Sequence, residues 1–395
     1  NLFMLRTSKS RVPVLEVLPV FRPAMGQEEI DAVAEVIRSG WIGLGPKTEE
    51  FENKFAKYVN SDYAVGLNSA TAALHLSLLA LGIGSGDEVL VPSLTFVSTA
   101  HAVLYVGAKP VFVDVCEDTL CMDPADMEKK ITKKSKAIIP VHFGGHPADL
   151  TEIHRIAKEN HLKVIEDASH ACGSQYKGRM IGGLSDLTCF SFHAVKNLAT
   201  GDGGMVTTND KKLAEAIKRM RWVGINKETW EREELVFQKG YRQYGWYYEV
   251  TDLGYKYHMN DLAAAIGLVQ LAKLPSANAS RTRLAKRYDG KFRKLPWLKI
   301  PVIKSGVKSA RHNYVVRTKY RDKLNLFLKG KKISTGVHYY PVHLHPYYQK
   351  NGFKAEVPVT DRVWKELLTL PLYPTLSYKD QDRVIAAIIE FGEKL

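Results

Sequence analysis

Residues 187–208 read LTCFSFHAVKNLATGDGGMVTT, and the fold can be read outward from them. Residues 187–193 alternate apolar and polar positions and are rich in aromatics, a pattern that predicts a strand, and residues 205–208 predict a second short one. The polar loop between them holds one lysine, Lys196, and three glycines, Gly201, Gly203 and Gly204. A lysine just past a buried strand, followed by glycines that admit close backbone, could be a nucleophile. An amine held partly out of water loses its proton more easily and can form a Schiff base with an aldehyde. Ser191, on the same strand, could offer a hydroxyl to a phosphate. The plainer reading is that Lys196 is one solvated lysine among many, and the local pattern leaves both open.

Around this stretch, strand patterns at 63–67, 88–92, 110–115, 137–142 and 162–167 alternate with helical patterns at 72–81, 99–106, 123–131 and 149–159. Such alternation predicts an α/β fold, a mostly parallel central sheet flanked by helices. Ligands of such sheets sit at the carboxyl ends of the strands. The residues expected there are Phe96, Asp167, and the run from Ser191 to Lys196. Asp167 ends the strand KVIED. It is either a helix N-cap or the partner of a ring nitrogen in a bound cofactor. After the strand YAVGL, the small polar turn Ser69, Ala70 and Thr71 opens an apolar helix. That arrangement makes an anion site, or an ordinary cap.

The domain expectation is an arm over 1–20, a large domain over 21–255 and a small C-terminal α+β domain over 256–395. Two helices are expected at 261–274 and 280–292, on either side of Pro275, and a surface excursion at 225–248. The run GVHYYPVHLHPYY, 336–348, reads as an aromatic-packed loop. Its histidines, His338, His343 and His345, lack a carboxylate or cysteine at ligand spacing, so no metal is expected.

The 395 residues are 45% hydrophobic and 25% charged, ordinary for a globular protein of one large and one smaller domain. A net charge of +14 favours anionic partners. The basic runs KKITKKSK and KGKK carry no interleaved aromatics, so they read as solvated helix ends, with no nucleic-acid partner. Four cysteines without a CxxC pair form no disulfide framework. With no apolar run of membrane length and no signal-peptide pattern, a cytoplasmic location and no membrane partner are expected.

In order along the chain stand SATAAL, PSLTFVST, PVHFGGHPAD, VIEDASHA, SFHAVKN, GDGG and LGYKYHMND. Together these closely resemble the DegT/DnrJ/EryC1/StrS family of sugar aminotransferases dependent on pyridoxal 5'-phosphate, from RPAMGQEEI to LPLYPTLS. The resemblance implies the aspartate-aminotransferase fold (fold type I) and a homodimer with active sites at the subunit interface. It implies Lys196 as the Schiff-base lysine and Asp167 as the pyridine-nitrogen carboxylate. It further implies His170 against the cofactor face or phenolic oxygen, Phe96 stacked on the ring, and Ser69, Ala70, Thr71 and Ser191 around the phosphate.

Two departures stand out. Many relatives have Ser-Gly-Thr where this chain has Ser69-Ala70-Thr71. Many have Gly-Tyr-Asn-Tyr-Arg, whose Asn reaches the partner's phosphate, where this chain has Gly254-Tyr255-Lys256-Tyr257-His258; Lys256 could take over that contact. With RPAMG and SFHAVKN, these look like the branch that aminates UDP-linked 4-keto sugars, the 4-amino-4-deoxy-L-arabinose type. The implied reaction moves an amino group from L-glutamate to a nucleotide-linked keto sugar. Alternatives are dTDP- or GDP-linked 3- or 4-keto sugars, a dehydratase on the same fold, whose histidine in place of the lysine argues against it here, and a non-catalytic cofactor-binding regulator.

Overall fold

The computed structural model describes residues 17–226 and 248–395; most of the expected arm and of the surface excursion lies outside these. Helices α1 (Gln27–Ser39) and α2 (Pro46–Val59) precede a seven-stranded sheet. Its strands are β1 (Tyr63–Leu67), β2 (Glu88–Pro92), β3 (Lys109–Val113), β4 (Ser135–Ile138), β5 (Lys163–Asp167), β8 (Leu187–Ser191) and β9 (Gly204–Thr208). The short strands β6 (Gln175–Tyr176) and β7 (Arg179–Met180) form a side ribbon. The order across the sheet is β1-β9-β8-β5-β4-β2-β3. Only β9 runs against the rest, pairing antiparallel with both β1 and β8.

Between the strands run α3 (Ala70–Ala80), α4 (Ser98–Tyr105), α5 (Pro124–Lys129) and α6 (Leu150–Glu159); α7 (Lys211–Arg221) follows β9. Strand side chains alternate between faces. On β8, Leu187 and Cys189 join a core with Leu74 and Leu76 of α3 and Ile217 of α7, whereas Phe190 joins Phe51 and Phe55 of α2 on the other face. Both faces are thus covered, as a mostly parallel sheet requires.

The two helices expected around Pro275 are one: α8 runs unbroken over Asp261–Phe292 with Pro275 inside. A proline in a helix interior costs about 3 kcal/mol, through a lost N–H and a clash with the preceding turn. Burial on both sides outweighs this, since each buried large apolar side chain contributes about 1.5–3 kcal/mol. Leu271 and Leu274 bury among Phe51 and Phe55, while Leu284, Tyr288 and Phe292 bury in a second core with Val316, Leu368 and Ile388. The start of α8 is held by the Asp261 carboxylate, which accepts from the backbone N–H groups of Lys47 and Thr48 and from the Thr48 hydroxyl.

The second core is built on β10 (Tyr314–Arg317), antiparallel to β11 (Leu367–Leu370), and on the helix Tyr378–Gly392. We place the change from large to small domain within α8, where one core gives way to the other; the boundary drawn at 255/256 falls just ahead of that helix. Leu18, at the end of the expected arm, pairs with residues 332–334 and buries in the second core.

Pro275→Ala should restore a helical N–H without removing a core contact. Urea unfolding is expected to show a gain of ~1–3 kcal/mol with activity unchanged; a loss of stability would mean that the proline is required rather than tolerated.

Candidate active site

The carboxyl ends of β1, β5 and β8 open on one cavity of about 330 Å³. Ser69, Ala70, Thr71, Phe96, Asp167, His170, Ser191 and Lys196 all line it. A larger cavity, about 470 Å³, lies between residues 117–120 and 299–303 and contains none of them.

At the end of β1, the Ser69 hydroxyl accepts from Ala72 N at 3.1 Å and caps α3. The cap reading of the turn is therefore observed; the other first N–H groups of α3 have no acceptor inside the helix, and the turn that carries them lines the cavity at the positive end of the helix dipole. Gly204 makes this approach possible. It sits opposite both Leu67 and Ser191 in the sheet, and a Cβ there would lie 2.4 Å from the carbonyl carbon of Ser69. The Thr71 hydroxyl donates to the Ser98 hydroxyl at 2.8 Å, so a row of hydroxyls surrounds the turn.

Asp167 is 5% exposed. Its carboxylate accepts from the Thr99 hydroxyl at 2.8 Å and from Ser169 N at 3.1 Å, both neutral donors. No helix begins after it, so it is not an N-cap. A carboxylate this deep needs a positive partner, and it makes no ion pair among the described residues.

Lys196 is partly buried in the loop after β8, which is closed by Lys196 N to His193 O and Thr200 N to Phe192 O, each 2.8 Å. Burial pushes its ammonium down to about 8, with Asp167 opposing the shift. The next residue, Asn197, is buried and ties the loop to the second domain: its amide nitrogen donates to Asn278 Oδ1 at 2.7 Å and to Ala310 O at 2.8 Å.

His170 and Phe96, together with residues to which sequence reasoning gave no assigned role, close the cavity. His170 Nδ1 accepts from Gly144 N at 3.3 Å, which puts its ring proton on Nε2; that nitrogen lies 2.9 Å from the Tyr339 hydroxyl. Tyr339 and His338 come from the aromatic run at 336–348, whose stretch from Tyr339 to Tyr348 could from sequence equally pack on a sugar or on the protein itself; Phe96, 57% exposed, has its ring 6.0 Å from that of Tyr339. His312 and Phe21 complete the wall, stacked with ring centroids 5.5 Å apart. Burial holds His170 and His312 well below the usual imidazole range and His338 down to about 4, with Lys196 adding to each shift. No isolated motif flags these side chains; only the topology gathers them.

Lys256 is not part of this wall. It is exposed, with its ammonium 3.3 Å from the centroid of the Trp222 ring. Its backbone still borders the phosphate-type turn, since Asn68 Nδ2 donates to Lys256 O at 3.4 Å and Asn68 N to the neighbouring Tyr257 O at 2.7 Å. Among the described residues no cluster could hold a metal ion, and no helix is long and apolar enough to cross a membrane.

The cavity suits a phosphorylated pyridine aldehyde. It offers an anion site at a helix start, a buried carboxylate without a cation, and an amine kept near neutrality. This site on this sheet defines the class of the pyridoxal-phosphate aminotransferases of the aspartate-aminotransferase type. The chain belongs to the DegT/DnrJ/EryC1/StrS aminotransferase family, whose model matches residues 23–389. It is 45% identical over 381 residues to the spore coat polysaccharide biosynthesis protein SpsC of Bacillus subtilis, covering 94% of this chain and 96% of SpsC. Among solved structures it resembles DesV of S. venezuelae, with 37% identity, TM-score 0.85, and 93% of this chain and 95% of that one covered. It also resembles the PLP-form of Spr1654 from Streptococcus pneumoniae, with 32% identity, TM-score 0.88, and 96% and 99% covered. The chain is thus a sugar aminotransferase that uses pyridoxal 5'-phosphate.

In cofactor-free protein, reductive methylation of Lys196 should rise as pH passes through about 8, instead of near the ordinary lysine value. Because Asp167 holds the ammonium up, Asp167→Asn should move that midpoint lower still. Peptide mass spectrometry across a pH series reads both, and a midpoint that rises in the variant would contradict the assignment.

Proposed function

We propose that the chain transfers the amino group of L-glutamate to a nucleotide-linked keto sugar, with UDP as the nucleotide and C4 as the carbon aminated. The observation that carries this reading is the shared cavity of Lys196, Asp167 and the α3 start. Bound there, pyridoxal phosphate supplies an electron sink and a carrier for the amino group. Lys196 holds the cofactor covalently. Its Nζ, when free, would act as the base that takes and returns a proton during the transfer. Asp167 keeps the ring nitrogen protonated by ion pairing. The first N–H groups of α3 and the hydroxyls of Ser69, Thr71 and Ser191 would hold the cofactor's phosphate. Phe96 and His170 would border its ring.

The UDP and C4 assignments rest on the branch resemblance of RPAMG, SATAAL, SFHAVKN and GYKYHMN. The name of SpsC, a polysaccharide biosynthesis protein, agrees with a nucleotide-sugar acceptor. The working unit is a homodimer in which Lys256, placed beside the turn at 68–71 but aimed away from its own cavity, serves the partner's phosphate.

Lys196→Ala should lower amino transfer by ~10²–10⁴-fold or more, and Asp167→Asn should depress it strongly while the fold survives. Product analysis with matched UDP-, dTDP- and GDP-linked 3-keto and 4-keto sugars tests the acceptor. Amination of the UDP-4-keto sugar at C4 is expected; efficient amination of a 3-keto sugar alone would overturn it.

A further inference from the structure

The hydrogen-bond roles in the cavity wall can be traced to backbone groups that leave no choice. Asn278 Nδ2 donates to Cys172 O at 2.9 Å, so Asn278 Oδ1 is the atom that accepts from Asn197. Asn197 Nδ2 spends its protons on that oxygen and on Ala310 O, a carbonyl that can only accept. The atom of Asn197 left to face His312 Nδ1, 3.0 Å away, is therefore its oxygen. An amide oxygen only accepts, so the proton of the neutral His312 ring sits on Nδ1. Nε2 then carries a lone pair and makes no hydrogen bond to another described residue.

The ring that carries this lone pair cannot turn freely. Phe21 stacks on one side, 5.5 Å away and 2° from parallel, and the His170 ring lies 4.5 Å away on another. His312 is 2% exposed and lines the cavity shared by Lys196 and Asp167. Burial and the nearby lysine both disfavour a second proton on it. Lys196 alternates between holding the cofactor and carrying the proton, so a partner that the substrate brings to Nε2 must be a donor. Of an amino-acid donor, the carboxylates offer only lone pairs and are repelled, and the amine is committed to the cofactor. A sugar offers hydroxyls.

We infer that His312 is a specificity-determining residue whose Nε2 accepts a hydrogen bond from the hydroxyl next to the reacting carbonyl of the keto sugar, held in that role by the Asn197–Asn278 relay. This rests on the sugar aminotransferase reading and deepens it. His312→Asn is the discriminating variant: its amide nitrogen can stand where Nδ1 stood and keep the Asn197 contact, while nothing replaces Nε2.

Three readouts on the holoenzyme test it. Single-turnover release of 2-oxoglutarate from L-glutamate should be unchanged in H312N. With the keto sugar, kcat/KM should fall about 10-fold or more. Replacing the neighbouring hydroxyl by hydrogen in the substrate should cost wild type a similar factor and H312N nothing further. Equal losses in both proteins on removing that hydroxyl, or a wild-type kcat/KM in H312N, would overturn the inference. If wild type aminates no keto sugar at all, it is the proposed function that fails. The ¹⁵N spectrum of the imidazoles, assigned by comparison with H312N, then decides independently: a proton on Nδ1 of His312 upholds the assignment, and a proton on Nε2 removes it.

Discussion

A carboxylate and an amine share one water-poor cavity here without pairing to each other, and the rest of the structure follows from that constraint. Asp167 is buried against neutral donors only, and Lys196 is pushed toward its neutral form. Neither would be stable in a packed core, because an unpaired buried charge is costly. They are tolerable where a cofactor completes both. The sheet order makes the meeting possible: β5 and β8 are parallel neighbours, and β9 turns back to bring Gly204 against both β8 and β1. The acid, the amine and the anion site come from strand ends separated by long stretches of sequence but adjacent in the sheet.

Around this centre the buried imidazoles are neutral. Three of them, His170, His312 and His338, surround Lys196, and burial keeps them uncharged. Asp167 and Lys196 are the charged groups at its depth, and the exposed Asp202 adds a carboxylate at its edge. The two tautomers that can be traced are set by backbone, that of His170 by Gly144 N and that of His312, through Asn197, by Ala310 O. Because Asn197 and His312 also join the loop after β8 to the start of the second domain, the hydrogen bonds that orient the wall are those that join the two domains. Orientation in the site and packing of the fold are one set of contacts.

Much of this was legible in the chain. The alternation of strands and helices gave the sheet. The rule that ligands sit at carboxyl ends picked out Phe96, Asp167 and the run from Ser191 to Lys196, and Phe96, Asp167 and both ends of that run line one cavity. The continuity of α8 was not legible, because Pro275 is a strong local breaker and only burial on both sides overrides it. The contacts of Thr99, His312 and Tyr339 were missed for a different reason. Each is an unremarkable residue in sequence, and its role comes from a partner 68 or more positions away: Thr99 meets Asp167, His312 meets Asn197, and Tyr339 meets His170. Local pattern carries no signal for such pairs. The large net positive charge did not by itself point to the site, since the cavity wall has lysine as its only fixed cation among the described residues.

The covalent link between cofactor and lysine tests the central claim most directly. Borohydride reduction of the yellow holoenzyme should fix pyridoxal phosphate on one peptide, the one containing Lys196, and peptide mapping should find no second site of comparable yield. A label on another lysine, or none on Lys196 in protein that still transfers amino groups, would contradict the assignment of this cavity as the active site.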